Sequence, residues 1–243
     1  MLDDLVTRSV PVRVEDRLIV ALDLPDIAAA RAAVARLDGI VSFFKIGYWL
    51  LLSPGFERFL DELLGRGTKI FLDTKMFDIG ETVRQGVRRA AERGIDLVTV
   101  HGDADIVRAA VAGRQGTGLR ILAISALTSL DAAGLRQLGH HQNVAEFIRE
   151  RVANFLAWGC DGVIASPADV AAIRHVPGAE RLLVVTPGVR LAGEGRDDHK
   201  RSGTPAEAIA AGADYLVVGR PIVHAADPAA AAARIVADMR SAA

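Results

Sequence analysis

Eight short apolar runs recur along the chain, and amphipathic, alanine-rich segments separate them. Each run is nearly continuous in apolar residues, which is typical of parallel strands whose outer face is covered by helices. Eight strand–helix repeats predict an α/β fold, a (β/α)8 TIM barrel built as a single domain. The predicted strands are Arg17–Asp23, Val41–Ile46, Lys69–Asp73, Leu97–His101, Arg120–Ser125, Gly162–Ala165, Leu182–Thr186 and Tyr215–Gly219.

The segments between these strands predict helices, three of which open on a capping residue followed by proline. Two long loops, at about 128–143 and 188–203, are candidates for functional lids. An open doubly wound sheet is the alternative fold, but no G-x-G-x-x-G motif follows the first strand. The predicted helices are Ile27–Leu37, Gly55–Leu64, Ile79–Arg93, Ala104–Ala112, Val144–Trp158, Pro167–His175, Pro205–Ala211 and Pro228–Met239, with Ser166, Thr204 and Asp227 as N-caps.

Length and composition limit the class of protein. The 243 residues, 51% of them hydrophobic, suffice for one barrel domain over residues 1–243, with residues 1–15 as an N-terminal extension. A net charge of −1 without a Lys/Arg-rich block makes nucleic acid an unexpected partner. The single cysteine, Cys160, excludes an internal disulfide, and neither a signal-peptide core nor a membrane span of about 20 apolar residues is seen. We therefore expect a cytoplasmic protein that does not bind membranes.

Polar residues collect at the carboxyl ends of the predicted strands, where barrels of this type keep their active sites. Their common position predicts a charged pocket above a packed interior. The histidine among them is predicted to be a satisfied core residue. The set comprises Asp23, Lys45, Asp73, Lys75, His101, Thr128, Ser166, Arg190, Gly219 and Arg220.

The third strand ends in the pattern D-x-K-x-x-D, formed by Asp73, Lys75 and Asp78. Because side chains alternate along a strand, Asp73 and Lys75 should point the same way, and Asp78 should follow in the loop. A surface ion pair would be the trivial interpretation, since exposed pairs contribute little. The preceding apolar run, Ile70–Leu72, instead indicates a buried strand and favours a functional lysine held between two carboxylates.

The loops after strands seven and eight predict a phosphate site. Thr-Pro-Gly-Val-Arg (186–190) and Val-Gly-Arg-Pro-Ile (218–222) combine small residues with two arginines. Guanidinium groups suit planar anions with several oxygens, and many barrels bind phosphate at these two loops. The residues alone therefore predict a small phosphorylated substrate.

Metal binding is not predicted. Asp73, Asp78 and Glu81 could ligate Mg²⁺, but Lys75 lies between the two aspartates and already neutralises charge. The six histidines are scattered and do not form a zinc-ligand cluster. The residues alone therefore do not indicate a metal site.

Nine motifs follow one another along nearly the whole chain. They are Leu-Ile-Val-Ala-Leu-Asp (18–23), Phe-Lys-Ile-Gly (44–47), Phe-Leu-Asp-Thr-Lys-Met-Phe-Asp-Ile (71–79), Thr-Val-His (99–101), Ala-Leu-Thr-Ser (126–129), Gly-Cys-Asp-Gly-Val-Ile-Ala-Ser (159–166), Thr-Pro-Gly-Val-Arg (186–190), Asp-Asp-His-Lys-Arg (197–201) and Ala-Asp-Tyr-Leu-Val-Val-Gly-Arg-Pro-Ile (213–222). In this order they resemble the motifs of the orotidine 5'-phosphate decarboxylase family. That resemblance implies decarboxylation of orotidine 5'-monophosphate to UMP, the last step of de novo pyrimidine synthesis, by a homodimer that uses neither a metal nor an organic cofactor and has its sites at the subunit interface.

The resemblance also implies a role for each site residue. Lys75 would protonate C6 of the pyrimidine as CO2 leaves, and Asp73 would face the substrate carboxylate. Lys45 would bridge Asp73 and the ribose, and Asp23 would bind a hydroxyl group of the ribose. The remaining implied contacts are Asp78, Ile79 and Thr82 in the neighbouring subunit's site, Thr128 at the pyrimidine, and Arg190, Gly219 and Arg220 at the phosphate.

The chain departs from the family pattern at Phe77, where histidine or leucine is more usual, and at Gly80, where proline is often found. His199 aligns with a glutamine that bridges phosphate and base; a histidine could still donate to phosphate, with a charge that varies near neutral pH. Two alternative functions stay open. One is a Mg²⁺-dependent phosphosugar decarboxylase or synthase of the same suprafamily, and the other is a catalytically silent nucleotide-binding barrel.

Overall fold

The computed structural model describes residues 10, 13–126, 130–191 and 202–242. Its eight strands form a closed barrel in sequence order, and β1 pairs with β8 as a parallel neighbour. The predicted TIM barrel is therefore confirmed. The strands are β1 Leu18–Ala21, β2 Phe43–Ile46, β3 Lys69–Met76, β4 Leu97–Val100, β5 Arg120–Ile124, β6 Gly162–Ile164, β7 Leu183–Pro187 and β8 Tyr215–Val218.

Helices follow the strands around the barrel, and the longer ones begin and end within two residues of the predicted bounds. The sequence analysis missed α2, α6 and α10, which are too short to show helical periodicity. Among the described residues, no helix combines the length and apolar character needed to cross a bilayer. The helices are α1 Ile27–Arg36, α2 Tyr48–Leu51, α3 Phe56–Gly65, α4 Gly80–Glu92, α5 Ala104–Gly113, α6 Ala132–Gln137, α7 Val144–Ala157, α8 Val170–Arg174, α9 Pro205–Ala210, α10 Arg220–Val223 and α11 Pro228–Arg240.

Two of the three predicted N-caps are confirmed. Thr204 accepts a hydrogen bond from the N–H of Glu207 in a capping box, and Asp227 accepts one from the N–H of Ala230. The prediction for Ser166 was wrong, because its hydroxyl donates to Asp169 instead of capping the backbone. The segment after it forms a 3-10 turn before α8 begins.

The core has two layers, one on each side of the sheet. The larger layer lies between the strands and the surrounding helices. The smaller layer fills the barrel interior, as side-chain alternation along each strand requires. The interior residues are Ile19, Ala21, Phe43, Phe71, Leu97, Leu122, Leu183, Val185, Tyr215 and Val217.

A Gly-x-Asp motif precedes β4, β6 and β8, at the end of the barrel opposite the predicted site. In each copy the glycine has a positive φ, which lets the chain leave a helix and turn into the strand. The aspartate then accepts a hydrogen bond from a backbone N–H of the previous strand, so that neighbouring repeats are tied together. These bonds join Asp96 to Ile70, Asp161 to Ile121 and Asp214 to Val184, each at 2.8 Å.

We expect the Asp214→Ala variant to lower the free energy of unfolding by about 3 kcal/mol. Asp214 is fully buried and also lies 2.7 Å from the guanidinium of Arg174, so the substitution removes the carboxylate partner of a partly buried cation and leaves the buried N–H of Val184 without its acceptor. Urea denaturation measures the change. Asp38→Ala, which removes a surface pair with Arg66, is the matched control and should cost less than about 1 kcal/mol. Equal effects of the two variants would contradict this account.

Candidate active site

The carboxyl ends of the strands surround a cavity of about 550 Å³, a volume that suits a small-molecule ligand. Charged residues reach it from the first three strands: Asp23, Lys45, Asp73 and Lys75. The loops after β7 and β8 contribute the phosphate-site candidates Arg190, Gly219 and Arg220. Apolar residues line the rest of it, among them Ala21, Phe71, Ile124, Ile164 and Val217.

Strand alternation explains why these charges converge. Phe43 and Phe71 belong to the barrel interior, so Lys45 and Asp73, two residues further along their strands, share the inward face. The parallel register pairs Lys45 with Phe71, so the charged side chains directly border the apolar interior. The same period-two alternation therefore places apolar side chains in the barrel interior and charged side chains at its carboxyl-terminal opening.

Lys45 is the lysine held between two carboxylates. Its Nζ lies 3.0 Å from Asp23 Oδ1 and 3.3 Å from Asp73 Oδ2, and its side chain is buried. Burial lowers the pKa of Lys45, but the charges of Asp73 and Asp23 outweigh that effect and leave the pKa above its ordinary value. The ammonium group is therefore a fixed positive charge beneath the cavity.

Asp73 is the centre of the charged group. Its Oδ1 accepts hydrogen bonds from Lys75 Nζ at 2.7 Å and from the hydroxyl of Thr99 at 2.8 Å, while Oδ2 faces Lys45. Burial raises the pKa of Asp73. The charges of Lys45 and Lys75, together with the two hydrogen bonds, have the opposite and larger effect, so the pKa lies below its ordinary value. The carboxylate stays ionised although it is nearly enclosed.

Lys75 reaches Asp73 from an irregular strand. The predicted common direction of the two side chains is confirmed by their contact, but β3 runs on to Met76 and its pairing with β4 shifts register between Leu72 and Met76. At this bulge Lys75 has a φ of 45°, in the left-handed region. Its side chain is 42% exposed, so the ammonium opens onto the cavity.

Asp78 does not flank Lys75 within its own chain, so this part of the D-x-K-x-x-D interpretation was wrong. Its Oδ1 accepts a hydrogen bond from the N–H of Ile79 at 2.7 Å. Asp78, Ile79 and Thr82 are exposed and do not line the cavity formed by their own chain. They lie in the loop before α4 and in its first turn, on the outside of the barrel opening.

Glu81, the third carboxylate considered for a metal, is engaged elsewhere. Hydrogen bonds from Arg84 and Gln85 hold it on the surface of α4 and lower its pKa to about 2. Over the described ranges, no three or more His, Cys, Asp or Glu side chains group in a way that could hold a metal ion.

The β7 and β8 loops hold the phosphate-site candidates together. Arg190 is buried, and its backbone N–H donates to the carbonyl of Gly203 at 3.0 Å, which joins the two ends of the long loop. Gly219 lies next to β1, where an added Cβ would lie in van der Waals contact, 3.4 Å from the Cβ of Ala21. Two predicted contacts, Thr128 and His199, lie outside the described residues.

The sequence analysis assigned no role to several residues that the structure brings to the site. Thr99 bonds to Asp73, and Tyr48, Trp49 and His224 line the cavity. Alternation from the interior residue Leu97 could have placed Thr99 on the inward face. The other three belong to α2 or directly follow α10, and these helices are too short for their faces to be read from the sequence.

The prediction that His101 is a satisfied core residue was wrong. Its side chain is 41% exposed, and its Nδ1 lies 2.6 Å from Asp103 Oδ2. The ring of Phe77 lies 4.6 Å from the histidine ring, between centroids. Phe77 therefore covers His101 at the edge of the opening.

Comparison with known proteins agrees with this geometry. Residues 16–235 match the profile of the "Orotidine 5'-phosphate decarboxylase / HUMPS family". The chain belongs to this family. It is 48% identical over 229 residues to an orotidine 5'-phosphate decarboxylase of Afipia carboxidovorans, covering 94% of this chain and 97% of the relative. The corresponding protein of Cereibacter sphaeroides is 50% identical over 226 residues, 93% of this chain and 97% of the relative.

The fold is shared with a solved member of the family. The crystal structure of orotidine 5'-phosphate decarboxylase from Lactobacillus acidophilus superposes with a TM-score of 0.79 at 33% identity. The match covers 92% of this chain and 99% of that one. The resemblance that the motifs indicated is thus confirmed at the level of family and fold.

We expect the Lys45→Met variant to weaken the stabilising effect of ionised Asp73 below neutral pH. In the wild type the folded pKa of Asp73 is lowered, so its carboxylate stabilises the fold above the unfolded pKa, and that contribution is lost as the pH falls through the folded value. Without Lys45 the largest of the effects that lower the folded pKa of Asp73 is lost, so that pKa rises and ionisation stabilises the fold less than in the wild type.

The difference in unfolding free energy between wild type and Lys45→Met should therefore grow as the pH rises from about 3 to 6. Urea denaturation at a series of pH values measures it. Arg66→Met, which removes the cation of a surface pair with Asp38, is the control and should give a nearly constant difference. A pH-independent difference for Lys45→Met would show that Asp73 is not held ionised by Lys45.

Proposed function

We propose that the protein decarboxylates orotidine 5'-monophosphate to UMP in pyrimidine synthesis. The observation that carries the proposal is the Lys75–Asp73 pair, 2.7 Å apart, in a cavity that also holds Arg190 and Arg220. A cation beside a carboxylate suits the loss of CO2, and the guanidinium groups suit a phosphate on the same molecule. The relatives named above carry this activity in their names.

In this mechanism the bond between C6 of the pyrimidine and the carboxylate carbon breaks, CO2 leaves, and the electron pair remains on C6. The Lys75 ammonium stabilises that developing charge and then transfers a proton from Nζ to C6. The neutral amine recovers its proton from water after UMP leaves. Asp73 holds the ammonium in place before substrate binds, since its carboxylate is ionised and accepts from Lys75.

Lys45 and Asp23 form the part of the site that binds ribose. Lys45 Nζ lies between Asp23 and Asp73. Because the carboxylate of Asp23 is about half exposed, it can still accept a hydrogen bond from a sugar hydroxyl. Gly47 has no side chain there, and an added Cβ would lie 3.3 Å from Asp23 Oδ1. The small residue leaves this edge of the cavity open.

Phosphate binding is assigned to Arg190, Gly219 and Arg220, with His199 as a further donor, and pyrimidine binding to Thr128. Binding energy from the phosphate, which does not react, can close the loops over the base and appear in the rate of the chemical step. We assign the role of lid to the loop after β7, whose ends are joined by the hydrogen bond between Arg190 and Gly203.

We also infer a homodimer that works in the cytoplasm. Large side chains of α2, of the residue directly after it and of the loop before α4 are 51–79% exposed, and a second copy would cover them. Asp78, Ile79 and Thr82 face away from their own cavity, so in a dimer we assign them to the partner's site. The exposed apolar residues are Tyr48, Trp49, Leu52, Phe77 and Ile79.

The Lys75→Ala variant should lose at least about 10³-fold in kcat for decarboxylation, because it removes both the cation and the proton donor. Loss of absorbance of the orotate ring measures the reaction. Lys69→Ala, at the opposite end of the same strand, is the matched control and should keep wild-type activity.

A second experiment separates the alternative functions. The wild-type protein should keep its decarboxylase activity in excess EDTA. If the activity were lost on chelation and recovered on adding Mg²⁺, a phosphosugar enzyme would be favoured. A wild-type protein that binds UMP without turnover would indicate a silent barrel.

Hybrid dimers test the shared site. Lys75→Ala and Asp78→Ala should each be nearly inactive alone, but mixing them by refolding should restore native sites to about one quarter of the total. Each hybrid dimer then has one site with Lys75 from one subunit and Asp78 from the other. Mixing Lys75→Ala with the Lys75→Ala/Asp78→Ala double variant is the control and should restore nothing. No recovery in the first mixture would contradict the shared site, provided that the wild type refolds.

A further inference from the structure

The peptide unit between Thr74 and Lys75 is bonded on both sides by side chains of neighbouring elements. The hydroxyl of Tyr48, in α2, donates to the carbonyl of Thr74. The backbone N–H of Lys75 donates to the hydroxyl of Thr99, in β4, at 2.9 Å. Thus one polar side chain holds each end of this peptide.

This peptide sets the direction of Lys75. Among the described residues, Lys75 is the one residue other than glycine with a positive φ, and it sits where the β3–β4 pairing shifts register. A side chain disfavours this conformation, so surrounding contacts must maintain it. Rotation of the peptide toward extended geometry would turn the N–H, the carbonyl and the lysine side chain together.

Thr99 connects the backbone to the charges. Its hydroxyl accepts from the N–H of Lys75 and donates to Asp73 Oδ1, the oxygen that also accepts from Lys75 Nζ. The side chain is fully buried and has no direct access to the cavity. One hydroxyl therefore fixes both the backbone of the lysine and the carboxylate that its ammonium contacts.

We propose that Tyr48 and Thr99 are positioning residues that clamp the 74–75 peptide and so place the Lys75 ammonium for proton transfer. The inference rests on the proposed function. Neither residue needs to touch the reacting atoms; they act through Lys75. Displacing a reacting group by about 1 Å can cost about 10²-fold in rate, while binding of phosphate and ribose elsewhere in the cavity is unaffected.

The test compares Tyr48→Phe and Thr99→Val with the wild type in the decarboxylation assay. Each is expected to lower kcat by about 10- to 100-fold, with the affinity for UMP and the sedimentation behaviour unchanged. Thr99→Ser, which keeps the hydroxyl, should restore most of kcat. The two substitutions should be less than additive when combined, because both release the same peptide.

Two control variants remove the same hydroxyl groups far from the site. Tyr215→Phe changes the other tyrosine of the chain, which lies at the opposite end of the barrel interior. Thr117→Val removes a hydroxyl that donates to the carbonyl of Arg114 before β5. Both should keep the wild-type kcat, so a loss in Thr99→Val or Tyr48→Phe cannot be a general cost of losing a hydroxyl.

Crystal structures of the variants give a readout that does not depend on activity. The clamp predicts that Lys75 leaves its positive φ in Thr99→Val, in Tyr48→Phe, or in both, and that its Nζ moves away from Asp73. A wild-type kcat in both variants, or an unchanged Lys75 backbone in both structures, would overturn the inference. An inactive wild type would instead reject the proposed function, and the crystal structures would still decide whether the clamp exists.

Discussion

The site depends on keeping Asp73 ionised inside the barrel. An isolated carboxylate at this depth would take up a proton, since burial disfavours its charged form. Lys45, Lys75 and the hydroxyl of Thr99 together reverse that tendency and leave the pKa lowered. Because each of these partners contacts Asp73, the three groups are held in place together, and the site is preorganised before any ligand arrives.

The barrel separates stability from chemistry along its axis. At one end, Gly-x-Asp motifs tie three of the eight strands to the previous strand through an aspartate carboxylate, as at Asp161 and Asp214. At the other end, the charged side chains of Lys45, Asp73 and Lys75 line a cavity, and β3 departs from regular pairing with β4. Aspartate thus has a structural role at one end of the barrel and holds an ammonium group at the other. The second role is possible because Lys75, the partner of Asp73, is partly exposed to the cavity.

Much of the site could be predicted from the sequence. The period-two pattern placed Asp73 and Lys75 on one face, and the order of eight repeats placed Asp23 and Lys45 beside them, since parallel strands end at the same edge. Alternation could also have found Thr99. The pattern could not show that Lys45, not Lys75, lies between two carboxylates, because that choice depends on distances across three strands.

The sequence by itself determined the barrel, its strand order and the set of charges at its opening, because these follow from hydrophobic periodicity and strand alternation, which are local. Only the tertiary structure decided the bulge at Lys75, the peptide contacts of Tyr48 and Thr99, and the outward position of Asp78. A bulge exchanges regular ladder bonds for particular side-chain bonds, and the partners come from segments more than 20 residues away in the chain. Long-range geometry of that kind has no periodic signature.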